Sequence, residues 1–133
     1  TVYQLSTILQ ELLEPLIQNH SPRTLLIGML PALYQDSELS RQEAQTLLSQ
    51  DLAKIQQLTA TYHLITVCTN LDVMPLLPSK GLGKTLYDSV NEIVQIKQFE
   101  QSISLELVKR QKRTSILPGT HGQLHLEAFG MVS

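Results

Sequence analysis

The residues able to do chemistry in this chain are few, and the densest group is basic. Lys109-Arg110-Gln111-Lys112-Arg113 sets four cations in five positions just past a hydrophobic stretch. Such a run suits phosphate: it can grip the backbone of single-stranded nucleic acid or reach a nucleotide held by a neighbouring subunit. No aromatic residue interleaves it, so it offers no base stacking, and a solvated hairpin tip is the plainer use of the same charges. Lys80 and Lys84 add to the patch if folding brings their loops near it.

Gly83-Lys84-Thr85 has the form of the end of a Walker A phosphate loop, but the full motif needs a glycine five residues earlier, where Pro78 stands. Proline removes an amide from the phosphate cradle and fixes a torsion that must stay free. Only 48 residues follow Thr85, too few for a complete nucleotide-binding core. The stretch reads instead as a loop leading into a short helix.

His121 and His125 are four apart, yet a glycine and an alternating pattern separate them, so they share no helical face and suggest no zinc site. His20 and His63 each follow a helix end, where a cation is mildly favoured. Cys68 lies within an apolar strand and packs as a small hydrophobe. As the only cysteine it forms no internal disulfide, which fits a reducing, intracellular setting, cytoplasmic or nuclear. Ser79, Ser102 and Ser115 have no visible base partner, so no hydrolase triad is indicated.

The elements that must position these groups follow from periodicity. Leu5, Ile8, Leu9, Leu12, Leu13, Leu16 and Ile17 recur at helical spacing, with a kink or break expected at Pro15. Thr24–Leu30 is apolar on both faces, as in a strand buried within a parallel sheet. Ser40 and Glu43 form a capping box that opens a long helix reaching about Tyr62. Leu64–Thr69 is a second buried strand, completing a βαβ unit. Asp72–Gly83 reads as a loop and Thr85–Glu92 as a short helix bearing Leu86 and Val90. Ile93–Phe99, Ile103–Val108 and Gln123–Phe129 then form an antiparallel meander, with Ile103, Leu105 and Leu107 sharing one face.

The whole is 133 residues with 42% apolar and 17% charged side chains, an ordinary globular balance that predicts one domain. A net charge of −2 leaves any attraction to nucleic acid local. The longest apolar run falls far short of the roughly 20 residues that cross a bilayer, so no membrane partner is expected. A first residue Thr1 suggests processing or a segment of a longer protein.

In this order, Thr24–Tyr34 with its Ala32-Leu33-Tyr34, the Ser40-Arg41-Gln42 helix start, Leu64–Asn70 ending in Thr69-Asn70, and Leu107-Val108-Lys109-Arg110 resemble the RecA/RadA recombinase superfamily, including KaiC-like ATPases. The likeness spans nearly the whole chain and corresponds to the second half of that core, after the phosphate-binding half. It implies a three-layer α/β fold, a parallel βαβ unit followed by the meander, and sensor-like roles for Thr69 and Asn70. The departures matter more. The position matching the family's Walker B aspartate is Gly28, which offers no ligand for a magnesium ion, and Asp36 lies beyond Pro31 in the next loop. The glutamine that commonly follows Thr-Asn is Leu71.

Three expectations follow. The first is a non-catalytic scaffold with no cofactor, associating as a homo- or hetero-oligomer with RecA-like subunits in recombination or repair and contacting single-stranded DNA through Lys80, Lys84, Lys109, Arg110, Lys112 and Arg113. The second is a fragment of a P-loop ATPase, in which another segment supplies the site for ATP and magnesium. The third is an interaction module with no nucleic-acid role.

Overall fold

The computed structural model describes residues 1–28, 30–35, 38–69 and 81–110, and the backbone of 121–125. Asn70, Lys80, Lys112, Arg113, Asp36, Leu71 and Pro78 lie outside them. The chain divides into two compact units, Thr1–Ser89 and Val90–Ser133.

The first unit opens with α1 (Val2–Thr7), continues through a widened π-helical turn (Ile8–Leu12) and ends in α2 (Leu13–His20). In the widened turn the Leu13 N–H reaches back five residues to the Ile8 carbonyl. The expected break at Pro15 is therefore displaced upstream. The irregular turn lies just before the proline, which has no N–H to donate and whose ring crowds the preceding turn, so the widening absorbs what a regular α-helix could not. Ser21, in the left-handed region (φ 46°), closes α2 by donating its N–H to the Ile17 carbonyl at 2.8 Å.

The long helix α4 (Arg41–Thr61) begins as its capping box predicts. The Glu43 N–H donates to Ser40 Oγ at 3.2 Å, and the Ser40 N–H donates to the Glu43 carboxylate at 2.9 Å. These bonds hold the Glu43 carboxyl below its usual range. Strands β1 (Thr24–Ile27) and β2 (Ile65–Cys68) flank α4 in sequence and pair in parallel, Thr24 opposite Ile65 and Ile27 opposite Cys68. This is the βαβ unit the sequence implies, with each strand shorter than its apolar run. Leu30, read as strand, instead opens α3 (Leu30–Leu33), a single turn that carries it fully out of solvent. The short helix α5 (Leu82–Ser89) closes the unit.

One face of β1–β2 meets the helices. Ile27, Leu30 and Tyr34 pack with Leu9 of the N-terminal helices and with Ala44, Leu48, Leu52 and Ile55 of α4. A second cluster joins Ile17, Leu58 and Leu64, with Leu13 and Leu25 against it. The other face is a correction to the sequence reading. Both strands were expected to be buried on both sides, yet Leu26 is 69% and Ile65 65% exposed, with Val67 also open. Two apolar faces identify a strand that can be covered twice; among the described residues only one cover is present.

The second unit is an antiparallel sheet in the order β3 (Ile93–Phe99), β4 (Ser102–Lys109), β5 (His121–His125). The predicted meander is therefore present, while residues 126–129 of its last expected strand lie outside the described residues. Glu100, with φ 39°, makes the tight turn between β3 and β4. Register sets Val94 opposite Leu107, Ile96 opposite Leu105 and Gln98 opposite Ile103, so Ile103, Leu105 and Leu107 do share a face. On the other side Lys97 and Glu106 form an ion pair at 3.8 Å. The described strands form two separate sheets. Among the described residues no helix is long and apolar enough to cross a membrane.

Glu14 ties the N-terminal helices to α4. It receives hydrogen bonds from Lys54 at 2.9 Å and from the Tyr62 hydroxyl at 3.0 Å, and these, Lys54 foremost, hold its carboxyl below the ordinary range. A carboxyl lowered on folding contributes stability above its unfolded-state value, and that contribution disappears as pH falls through the folded value. In urea unfolding, Glu14→Gln is expected to be less stable than the parent at neutral pH, with the gap closing as pH drops below the carboxylate range.

Candidate functional site

Two places in the first unit gather polar groups: the tips of the parallel strands and a buried carboxyl on α4.

At the tips, the Thr69 N–H donates to the Ile27 carbonyl at 3.0 Å and the Leu30 N–H donates to the Thr69 carbonyl at 3.3 Å. Thr69 thus fastens the segment leaving β1 to the end of β2, and Gly28 lies within that fastening. A Cβ built on Gly28 would stand 3.9 Å from Thr69 Oγ1, an ordinary contact, and the residue is not in the left-handed region. Neither space nor backbone torsion requires glycine there. A Cβ at this position is tolerated, so glycine itself is not forced by the fold.

The Gly83-Lys84-Thr85 triplet lies within α5, and its polar groups are engaged inside that unit. Lys84 pairs with Asp88 one turn along the helix. Thr85 Oγ1 donates to the Gly81 carbonyl at 3.3 Å and accepts from Gln45 Nε2 at 3.4 Å. A helix-forming i,i+4 ion pair and a hydroxyl bonded to its own backbone are structural uses of these residues.

Of the basic run, Lys109 ends β4 and Arg110 follows it. Arg110 Nε lies 3.1 Å from Glu92 Oε1, so one charge of the run faces a carboxylate. Lys84 belongs to one unit and Lys109 and Arg110 to the other. Cys68 is partly buried on β2, and burial pushes its thiol above the usual range, consistent with a packing role. Among the described residues no group of three metal-ligating side chains occurs.

Sequence reasoning missed the buried carboxyl. Asp51 is completely buried near the middle of α4. Its Oδ1 accepts from Ser6 Oγ and from Gln10 Nε2, both at 2.8 Å, and its Oδ2 accepts from the Tyr34 hydroxyl at 2.5 Å. Tyr34 is itself 1% exposed. Burial, then the hydrogen bond to Asp51 and its charge, push the Tyr34 phenol far above its usual range, so it remains a donor at any ordinary pH. The signal was available. Asp51 follows Ala44 by seven residues and precedes Leu58 by seven, which puts it on the apolar face of the helix. Tyr34 belongs to the Ala-Leu-Tyr stretch already singled out, and its partner explains it.

Buried so completely, this cluster offers no surface to a substrate. It works as a clamp joining the N-terminal helices, the segment after α3 and the centre of α4. No family model matches the chain, and no curated protein matches it.

The clamp predicts a graded loss. Asp51→Ala leaves the two buried hydroxyls of Ser6 and Tyr34 without their acceptor and frees the exposed Gln10 amide to water, and should cost roughly 3 kcal/mol, with Tyr34→Phe costing about 1.5–3 kcal/mol for one bond to a carboxyl group. In urea unfolding the double variant should fall well short of the sum, because both changes remove the same bond.

Proposed function

We propose that this chain is a non-catalytic relative of the RecA/RadA recombinases, equivalent to the second half of their core, and that it works by association with other subunits. Gly28 carries this reading: it sits at the tip of β1, beside Thr69 at the tip of the adjacent parallel strand, where magnesium-dependent phosphoryl chemistry would need a carboxylate. The element order supports it as well: a parallel strand, a short turn of helix, a long capped helix, a second parallel strand, a short helix and an antiparallel meander follow one another as in that superfamily. The open face of β1–β2 supports the association half of the proposal, since parallel sheets are normally covered on both sides.

The same open face favours a second reading, in which this is one half of a P-loop ATPase and another segment covers the sheet and supplies the phosphate loop. In both readings single-stranded DNA is a partner through Lys109 and the cations that follow it, and recombination or repair is the setting.

Calorimetric titration of the chain with ATP and magnesium is expected to give no saturable binding, and a phosphate-release assay no turnover. Micromolar binding with magnesium-dependent hydrolysis would refute the non-catalytic reading. For nucleic acid, fluorescence anisotropy on an oligo-dT strand should show binding that weakens steeply with salt and is reduced by Lys109→Glu together with Lys112→Glu. Binding that is absent at low salt, or indifferent to those changes, favours a module with no nucleic-acid role.

A further inference from the structure

At the end of the parallel sheet away from Gly28 and Thr69 lies a groove of about 640 Å³, lined by Ile17, Pro22, Arg23, Tyr62, His63 and Ile65. Its volume is that of a small-molecule site, roughly 300–1,000 Å³. Two helix-to-strand connections build it. The first leaves α2 through Ser21 (φ 46°) and the second leaves α4 through Tyr62 and His63 (φ 53°), so each turns on one left-handed residue before entering its strand. The strands pair in parallel, and the Ile65 N–H donates to the Arg23 carbonyl at 2.9 Å, which sets the two connections side by side. Ile17, buried against Leu58 and Leu64, ties the groove to the core.

The lining joins apolar surface to N–H donors and, among the described residues, includes no acid. Ile17, Pro22, Ile65 and the Tyr62 ring are the apolar part, and Ile65 is 65% exposed. The Arg23 guanidinium and the His63 imidazole are the donors. Both residues are exposed, and among the described residues neither is in an ion pair. The Tyr62 hydroxyl is already engaged, donating to Glu14 and accepting from Gln18, and Glu14 is paired with Lys54. The groove therefore has a vacancy for an anion and an apolar wall beside it.

Charge decides which anion. Arg23 brings the one permanent charge of the lining, and that balances a monoanion. A phosphate ester, with about two negative charges near neutral pH, would be left half-compensated. The guanidinium fork also matches the two oxygens of a carboxylate. A carboxylate alone would leave the wall in water, so its bearer needs an apolar body.

We infer that this groove binds a small monocarboxylate with an apolar body, its carboxylate on Arg23 and His63 and its body along Ile17, Pro22, Ile65 and the Tyr62 ring. The site goes beyond the proposed role, since it requires neither nucleotide nor a second subunit. Binding of carboxylate and of ATP are measured separately, so either reading can fail alone.

Calorimetric titration with naphthoate tests it, with acetate and naphthylmethanol supplying the anion and the body alone. Naphthoate is expected to saturate and to bind at least about tenfold tighter than either. In nuclear magnetic resonance spectra it should shift the amides of Ile17, Arg23, His63 and Ile65 and leave those of Gly28 and Thr69 in place. Arg23→Gln should weaken binding at least about tenfold, because a charge-assisted pair is lost. His63→Asn, which tolerates the left-handed backbone, should weaken it less. Arg41→Gln, at the other end of α4 from the groove, should change nothing. Circular dichroism checks that each variant is folded. If Arg23→Gln unfolds, Ile65→Glu serves in its place, setting a repelling acid in the groove. Failure of naphthoate to saturate overturns the proposal, as does naphthylmethanol binding equally well, since no anion would then be recognised. It also falls if Arg23→Gln and His63→Asn leave the affinity intact, or if the shifted amides gather around Thr69.

Discussion

The first unit is organised around a carboxyl group that has no water. Asp51 is fully enclosed, and its oxygens are satisfied by three neutral donors from two other segments. Removing a carboxyl group from solvent is expensive, and the expense is offset only when hydrogen bonds replace the lost hydration with good geometry. The three bonds to Ser6, Gln10 and Tyr34 therefore act together. Apolar packing brings the N-terminal helices to α4 without fixing their rotation or axial position; the hydrogen bonds to one buried point fix both. Tyr34 extends that constraint to the segment leaving β1 and so to the strand tips.

The strand tips are fixed by the backbone alone. Backbone bonds through Thr69 hold the exit from β1 in place without any side chain at residue 28. A Cβ at Gly28 would make only an ordinary contact with Thr69 Oγ1, at 3.9 Å, so the backbone there does not demand glycine. The triplet Gly83-Lys84-Thr85 shows the converse: residues whose letters suggest phosphate binding, with polar atoms engaged on and beside their own helix. In neither case does residue type alone settle the role.

Much of the fold was legible because its signals are local. The Ser40–Glu43 box marks the start of α4 to the residue, and strict alternation in Ile103, Leu105 and Leu107 gives the face of β4. What escaped depends on tertiary context. An apolar strand carries the same letters whether it is covered once or twice, so the exposure of Leu26 and Ile65 could not be read from their types. Leu30 continues the apolar run but turns into α3, since its burial comes from helix packing and not from sheet pairing. Asp51 was hidden for a different reason: an acidic residue is normally assigned to the solvent side, and only its heptad-like interval from Ala44 and to Leu58 marks it as enclosed. Gly28 and Thr69 directly follow the last residues of β1 and β2, as the apolar runs imply, whereas the pairing of Arg110 with Glu92 needed coordinates.

The widened turn at Ile8–Leu12 has a consequence for how this helix can change over time. Its extra residue sets the phase between α1, which aims Ser6 at α4, and α2, which aims Ile17 at Leu58. Each residue in a helix accounts for about 100° of rotation, so losing a single amino acid from this turn would swing α2 by more than a quarter circle relative to α1. A deletion there would break the phase that lets Ser6 reach Asp51 while Ile17 packs on Leu58. The count of residues between Ser6 and Ile17 is thus under tighter constraint than the identity of most of them.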